Sequence, residues 1–194
     1  MIQVQDVRVA IDGVEILHGV SFEIAAGSVA GYVGPNGAGK TTTMRLLTGA
    51  LPPDAGRVTV GGVDVVADPV EAKRRFGYVP EHGHVYESFT PNEYLTFIGR
   101  MHRLPEDTIR TRAGAHLAFW ELTDAADRSM TGFSKGMKQK VLLSAALLHD
   151  PPVLLLDTPG IMPPGNLASE TGLALALTGG VADKLLEPAV LADF

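Results

Sequence analysis

The sequence predicts an α/β fold with a helical insertion, and three observations lead to this prediction. Over residues 2–24, short Val-, Ile- and Phe-rich stretches alternate with polar positions. Residues 28–33 and 153–156 are short apolar runs, and residues 90–149 have a mostly helical pattern. Alternation is typical of antiparallel strands with one buried face, whereas unbroken apolar runs are typical of strands buried on both faces. We therefore expect an N-terminal antiparallel β subdomain and an α/β core with a helical lobe set into it.

Length and composition exclude several classes of protein. The chain has 194 residues, 45% of them hydrophobic and 20% charged, which predicts one globular domain, or one domain with an inserted lobe. With 16 basic against 22 acidic residues the formal net charge is −6, so nucleic acid is not an expected partner. The longest uncharged run, Ile24 to Gly39, is interrupted by five glycines and a proline, so the chain is not expected to cross a membrane. The absence of cysteine excludes disulfides and thiolate-bound zinc and fits a cytosolic protein.

The local patterns place the individual elements. A strand at residues 28–33 leads into a glycine-rich loop and a helix over about 39–48, which Gly49 ends. Alternation at 57–66 around two glycines predicts a further strand, and residues 75–79 are another brief strand candidate. Thr90-Pro91-Asn92-Glu93 is a typical helix opening, and apolar residues at 137, 141, 145 and 148 form one face of a later helix.

Residues 160–194 have a different character. They are rich in Ala, Leu, Gly and Pro, their one basic residue is Lys184, and they have no clear strand period. The sequence does not place this segment in the core.

The loop at Gly34 to Thr41 matches the pattern G-x-x-x-x-G-K-[ST] at every required position. Glycines let the backbone curl so that successive N–H groups and the following helix N-terminus form a pocket for an anion. Lys40 would reach the β and γ phosphates, and the Thr41 hydroxyl would coordinate Mg²⁺. A chance glycine-rich turn is the alternative, but the predicted strand before the loop and the predicted helix after it favour nucleotide binding.

An acidic residue at the end of a second buried strand would complete such a site. Asp157 follows the apolar run at 153–156 and could hold the magnesium ion. A strand-ending aspartate by itself is more often a turn former or a helix cap; together with the phosphate loop it favours a metal ligand.

With these motifs in order, residues 1–159 resemble the nucleotide-binding subunit of an ATP-binding cassette (ABC) transporter of the drug- or antibiotic-efflux kind. Residues 76–81 stand at the family's Q-loop, and Phe133 to Gln139 resemble its signature, normally written LSGGQ. The resemblance implies a P-loop NTPase core with a helical lobe at about 82–150, a divergent tail at 160–194, and final core strands that are missing. The nucleotide-binding residues that it implies are Gly34, Pro35, Asn36, Gly37, Ala38, Gly39, Lys40, Thr41 and Thr42.

The same resemblance implies cofactors, partners and a location. ATP would bind with Mg²⁺ held by Thr41, Glu81 and Asp157, where Glu81 replaces the family's usual glutamine. Two such subunits, identical or different, would pair head to tail on a membrane-spanning partner, at the cytoplasmic face of the cell membrane. The signature residues facing the opposite subunit's ATP would be Ser134, Lys135, Gly136 and Met137. A purely structural interpretation, that Ser134 caps a helix, leaves Gly136 unexplained.

The sequence departs from the family pattern in three ways. Thr158 stands where a glutamate would polarise the attacking water, no histidine follows His149, and Ile11 stands near the position of an adenine-stacking aromatic residue. Loss of a positioned general base costs roughly 10²- to 10⁴-fold in rate, so hydrolysis is expected to be impaired. The leading hypothesis is an ATPase subunit of an exporter. The alternatives are a cassette that binds ATP without hydrolysing it, a soluble relative serving ribosomes or DNA repair, and a poorly stable remnant.

Overall fold

The computed structural model describes residues 1–35, 37–158 and 172–178, with the backbone alone for Thr158 and for 172–178. The chain divides into two compact units, residues 1–81 with those from 151 onward, and residues 82–150. Among the described helices, none has the length and apolar content that crossing a bilayer requires.

The first unit is built from strands and two helices. Its strands are β1 (Ile2–Ile11), β2 (Val14–Ile24), β3 (Val29–Gly34), β4 (Ala55–Val60), β5 (Val63–Asp64), β6 (Phe76–Val79), β7 (Val153–Thr158) and β8 (Gly172–Thr178), and its helices are α1 (Lys40–Leu47) and α2 (Pro69–Arg74). Within the described residues they form two four-stranded sheets, ordered β2-β1-β4-β5 and β3-β8-β7-β6.

The first sheet is antiparallel, as the alternating N-terminal sequence predicts. β1 pairs with β2 across the turn at Asp12 and Gly13 and with β4 along its other edge. Its inward side chains pack with α1 and with one face of the second sheet in a single core. That core comprises Ile2, Val4, Val7, Val9, Leu17, Met44, Leu46, Leu47, Val58, Val60, Val65, Ala72, Phe76, Val153 and Leu155.

The second sheet carries the predicted buried strands. β6 and β7 are parallel neighbours, while β8 runs antiparallel to both β3 and β7. β3 and β7 are therefore parallel to each other, and the register places Val33 and Thr158 on either side of the same residue of β8. The carboxyl ends of β3, β6 and β7 consequently meet at one edge of the sheet.

The strand at 172–178 was not predicted, because its Leu and Ala residues are all apolar, with no alternation of apolar and polar positions, and because Ala and Leu favour helices. A strand in the middle of a sheet can be a continuous apolar run, which periodicity alone does not distinguish from a helix. The other expectations for 160–194, including the missing final strands, lie outside the described residues.

Helix α2 was also missed, although its opening has a readable signal. Asp68 caps it by accepting a hydrogen bond from the Glu71 N–H at 3.1 Å, and Pro69 is its first residue. The helix is short and lies between two short strands, β5 and β6, where turn and helix signals overlap.

The second unit is helical. Its helices are α3 (Pro91–Met101), α4 (Glu106–Phe119) and α5 (Lys135–Leu147), with 3₁₀ turns at Thr123–Ala125 and Met130–Gly132. The predicted opening of α3 is a capping box, in which Thr90 accepts from the Glu93 N–H and the Glu93 carboxylate accepts from the Thr90 N–H. The apolar face predicted for α5 is buried at Val141, Ala145 and Leu148.

Candidate functional site

The phosphate-loop motif lies between β3 and α1, as its sequence context predicts. Gly39 is the residue before the helix and has φ 84°, and Gly37 has φ 82°, two left-handed conformations that favour glycine. A Cβ at Gly39 would lie 2.7 Å from the Leu17 side chain, so this position also needs glycine for packing against β2. The loop is thus held in a tight curl beside the first sheet.

The Lys40 side chain folds back into this curl. Its Nζ donates hydrogen bonds to the carbonyl oxygens of Gly34, at 2.5 Å, and Pro35, at 2.8 Å. An ammonium group therefore lies inside the ring of the loop backbone.

The first turn of α1 has no side-chain cap, which leaves its N–H groups directed at the mouth of the loop. Thr41 is exposed in that turn. Uncapped helix amides, an ammonium group and an exposed hydroxyl are the donors that a triphosphate needs, so the loop fits a nucleotide. Asn36, the remaining loop position of the predicted site, lies outside the described residues.

Asp157 and Glu81 lie at the same sheet edge as the loop. Asp157 is the fifth residue of β7 and is half-buried. β8 lies between β7 and β3, and the register places Asp157 and Tyr32 opposite the same residue of β8. Glu81 follows the end of β6, the parallel neighbour of β7, and is exposed. The fold thus collects the loop and both candidate metal ligands at one edge of one unit.

Within the described residues, no cluster of three or more His, Cys, Asp or Glu side chains could hold a metal ion alone. Mg²⁺ bound together with a nucleotide needs only one or two carboxylates, because phosphate and water oxygens supply the other ligands. Thr41 and Asp157 are of the kind that such an ion uses. The residues present therefore fit Mg²⁺ bound with ATP better than a stand-alone metal centre.

Tyr78 of β6 also belongs to this edge, and the sequence analysis missed it. Burial raises the pKa of the Tyr78 phenol, the negative charge of Asp157 raises it further, and Arg45 opposes these effects. A tyrosine in a strand gives no sequence signal for its proximity to Asp157, because this proximity depends on the pairing of β6 with β7.

The signature segment begins α5 in the second unit. Ser134 is the N-cap residue and accepts a hydrogen bond from the Met137 N–H at 3.2 Å. Ser134, Lys135 and Gly136 are exposed. A Cβ at Gly136 would find nothing closer than the Ser134 hydroxyl at 4.0 Å, so the chain's own packing does not require glycine there. The helix N-terminus is therefore open to a ligand or a partner.

Glu87 holds the segment before α5 in place by accepting hydrogen bonds at its main-chain carbonyl and at its carboxylate. The Glu87 carbonyl oxygen accepts hydrogen bonds from Ser129, at 2.9 Å, and Thr131, at 3.1 Å. The Glu87 carboxylate accepts a bond from Lys138 in the first turns of α5. These contacts fix the direction of the helix start.

A cavity of about 400 Å³ lies beside α1, and its lining differs from that of the phosphate loop. It is lined by Phe22, Tyr32 and Met44 among other side chains of β2, β3 and α1, and its walls are mostly apolar. Such a lining does not suit a triphosphate, and the phosphate loop rather than this cavity is the candidate nucleotide site.

Two of the predicted departures concern positions at the ends of strands. Thr158 ends β7, directly after Asp157, with its backbone alone described. Ile11 ends β1 with 36% of its surface exposed. The sequence difference at each position stands, and the structure places both residues at strand ends.

Comparisons with known proteins agree with this geometry. The sequence model of the family described as "ABC transporter" matches residues 17–160. The linearmycin resistance ATP-binding protein LnrL of Bacillus subtilis is 37% identical over 161 residues, covering 83% of this chain and 52% of that protein. The daunorubicin resistance ATP-binding protein DrrA3 of Streptomyces coeruleorubidus is 36% identical over 190 residues, covering 93% and 60%.

Solved structures give the same result. The structure of an ATP-binding subunit of an ABC transporter superposes with a TM-score of 0.71 at 29% identity, covering 81% of this chain and 65% of that one. CbiO1 of Clostridium perfringens, part of the transporter complex CbiONQ, gives a TM-score of 0.69 at 25% identity with the same coverage. The chain spans 52% to 60% of the length of these two curated relatives. The phosphate loop, the fold and the family match together establish that this chain belongs to the ABC transporter family, as an ATP-binding domain.

Proposed function

We propose that this chain is the ATP-binding subunit of an exporter of the ABC type and binds ATP together with Mg²⁺ at the loop between β3 and α1. The observation that carries the proposal is the Lys40 ammonium group inside a loop whose following helix has uncapped N–H groups. Drug-resistance ATP-binding proteins among the relatives support export as the process served.

Each residue of the site has a distinct role in this proposal. Lys40 exchanges the carbonyls of Gly34 and Pro35 for the β and γ phosphates, and the loop amides bind the remaining phosphate oxygens. Thr41 and Asp157 hold the magnesium ion, with Glu81 at its outer side. Bound Mg²⁺ would neutralise phosphate charge and fix the geometry of the triphosphate.

The signature segment takes part through pairing of two subunits, identical or different. In a head-to-tail dimer, Ser134, Lys135, Gly136 and Met137 would face the ATP bound to the other subunit. The start of α5 offers N–H groups and the positive end of a helix dipole, both favourable to phosphate. A membrane-spanning subunit would couple this pairing to transport, and the protein would lie at the cytoplasmic face of the membrane through that contact.

A second candidate function is supported by Thr158. Threonine has no charge with which to act as a general base, so a cassette that binds ATP without efficient hydrolysis is the alternative. Such a chain would act as a regulatory or inactive partner of a second subunit.

ATP binding by the purified chain tests the proposal, with titration calorimetry in Mg²⁺ as the measurement. Lys40→Ala is expected to weaken binding by about 10- to 100-fold, since hydrogen bonds to a charged group contribute about 1.5–3 kcal/mol. Lys73→Ala, which removes an exposed lysine from α2, is the matched control and should bind as the wild type does. A wild-type chain that is folded and does not bind ATP would refute the proposal.

Phosphate release separates the two candidate functions. The wild-type chain is expected to release phosphate slowly, and Thr158→Glu is expected to raise the rate by about 10²-fold or more, because it restores a carboxylate beside Asp157. A wild-type rate that already equals that of Thr158→Glu would remove the case for a hydrolysis-deficient cassette.

A further inference from the structure

Tyr78 lies one strand away from the candidate metal ligand Asp157. It pairs in register with Leu155 of β7, two residues before Asp157. Since side chains alternate along a strand, Leu155 and Asp157 project from the same face, the face on which Tyr78 packs against the core. Tyr78 therefore lies on the same face as Asp157 on the neighbouring strand, close enough for the charge of the Asp157 carboxylate to act on its phenol.

The ring of Tyr78 is explained by packing, but its hydroxyl is not. Phe76, two residues earlier on the same strand, lies in the same core with an aromatic ring and no polar group. A phenylalanine at position 78 would fill the same space without placing a half-buried hydroxyl there. The polar group that the neighbouring strand offers to this hydroxyl on the same face is the Asp157 carboxylate.

A carboxylate has two oxygens and about four lone-pair directions, so a donor on one oxygen leaves the other available. A donor that fixes the orientation of a carboxylate reduces the rotational freedom lost when an ion binds. In metal sites such outer contacts typically change affinity by 10- to 100-fold when they are removed. Arg45 and Glu81 lie close enough to act on the same tyrosine electrostatically, so the hydroxyl is part of a polar cluster at the sheet edge.

We propose that Tyr78 is a positioning residue for magnesium: its hydroxyl holds one oxygen of Asp157 and thereby orients the other oxygen toward the ion bound with ATP. This inference rests on the proposed function, because it concerns the same site. It adds a residue that neither the sequence motifs nor the relatives assign.

The substitution that tests it is Tyr78→Phe, which removes the hydroxyl and keeps the ring. ATP affinity is measured by calorimetry in EDTA and over a series of Mg²⁺ concentrations, and the spectrum of Mn²⁺ bound with ATP is recorded by electron paramagnetic resonance. The Mg²⁺ concentration needed for half-maximal enhancement of ATP binding is expected to rise about 10-fold. The affinity for ATP in EDTA should not change, since the loop and Lys40 are intact, and the Mn²⁺ spectrum should broaden.

Two further variants exclude a merely structural effect. Tyr94→Phe removes the hydroxyl of another buried tyrosine, in α3, and should leave the Mg²⁺ dependence at the wild-type value. In an Asp157→Asn background, Tyr78→Phe should have no additional effect on the Mg²⁺ dependence, because the hydroxyl acts through that carboxylate.

The outcomes are distinct. Wild-type Mg²⁺ dependence in Tyr78→Phe would overturn the inference, as would an equal loss of ATP affinity with and without Mg²⁺, or a full effect that persists in the Asp157→Asn background. Failure of the wild-type chain to bind ATP at all would instead refute the proposed function, and with it the premise of this inference.

Discussion

At the scale of single residues, glycine has separate causes at different positions of this chain. Gly56 in β4 and Gly62 before β5 have similar left-handed conformations, with φ 87° and 82°. A Cβ at Gly56 would lie 2.4 Å from the backbone oxygens of Gln5 and Asp6, whereas a Cβ at Gly62 would meet nothing within 4 Å. Backbone conformation alone therefore explains Gly62, while close approach of β1 also explains Gly56.

This difference predicts unequal costs for the same substitution. Gly62→Ala should lower the free energy of unfolding by about 1–2 kcal/mol, the cost of a left-handed conformation for a residue with a Cβ. Gly56→Ala should cost about 1–3 kcal/mol more, because backbone atoms of β1 must move. Urea unfolding of both variants measures the difference, and equal midpoints would contradict the packing argument.

Residues of the candidate site differ in how far the sequence reveals them. Lys40 and Thr41 belong to a motif in which spacing fixes the geometry, so their positions follow from the sequence alone. Asp157 was predicted because an acidic residue ended an apolar run. Tyr78 was not predicted, since its role depends on which strand lies beside β6, and strand order is not encoded in any local pattern.

At the scale of elements, helix openings were predictable and the tail strand was not. The Thr90 capping box and the Ser134 cap depend on residues three positions apart, so a short window of sequence contains the whole signal. The strand at 172–178 depends on pairing with β7, which precedes it, and with β3, which is distant in the sequence. Its continuous Ala and Leu run fits a helix equally well until those partners are known.

The start of α5 offers a test that separates folding from function. Gly136 and Gly114 are both helical glycines with room for a Cβ, so replacing either with alanine should stabilise the chain, by up to about 1 kcal/mol. If Gly136 faces the phosphates of a second subunit, only Gly136→Ala should weaken the ATP-dependent dimer, since a methyl group would obstruct that approach.

Thermal melts and sedimentation velocity in Mg²⁺ and ATP measure the two properties separately. Both variants should melt at or above the wild-type temperature, and Gly114→Ala should dimerise as the wild type does. Wild-type dimerisation by Gly136→Ala would contradict the role proposed for the signature glycine.

At the scale of the whole molecule, the two compact units contain different parts of the proposed site. The first unit brings together the loop, Asp157 and Glu81, because the carboxyl ends of parallel strands meet at one edge. The second unit presents the signature on a helix start that its own packing does not cover. ATP binding is thus a property proposed for one unit, whereas the proposed head-to-tail pairing would use residues of both.

The pH response of the whole chain's stability depends in part on His116 in the second unit. Burial lowers the pKa of His116, the hydrogen bond to the Ser144 carbonyl oxygen opposes this, Arg112 lowers the pKa further, and Asp150 raises it. Because Nδ1 lies 3.2 Å from that carbonyl oxygen, it must carry the hydrogen, and the neutral ring can satisfy the bond.

The folded state therefore binds fewer protons at His116 than the unfolded state does below the ordinary histidine pKa of 6.5. The stability that this residue contributes is fully present above pH 6.5 and declines as the pH falls below it. His116→Asn keeps a donor at the position of Nδ1 and does not titrate, so its melting temperature should fall less than that of the wild type between pH 7.5 and pH 5.5. His84→Asn, which removes an exposed histidine from the same unit, is the control and should follow the wild type. Equal losses in His116→Asn and the wild type would place the acid sensitivity elsewhere, and a greater loss in the variant would reverse the sign argued here.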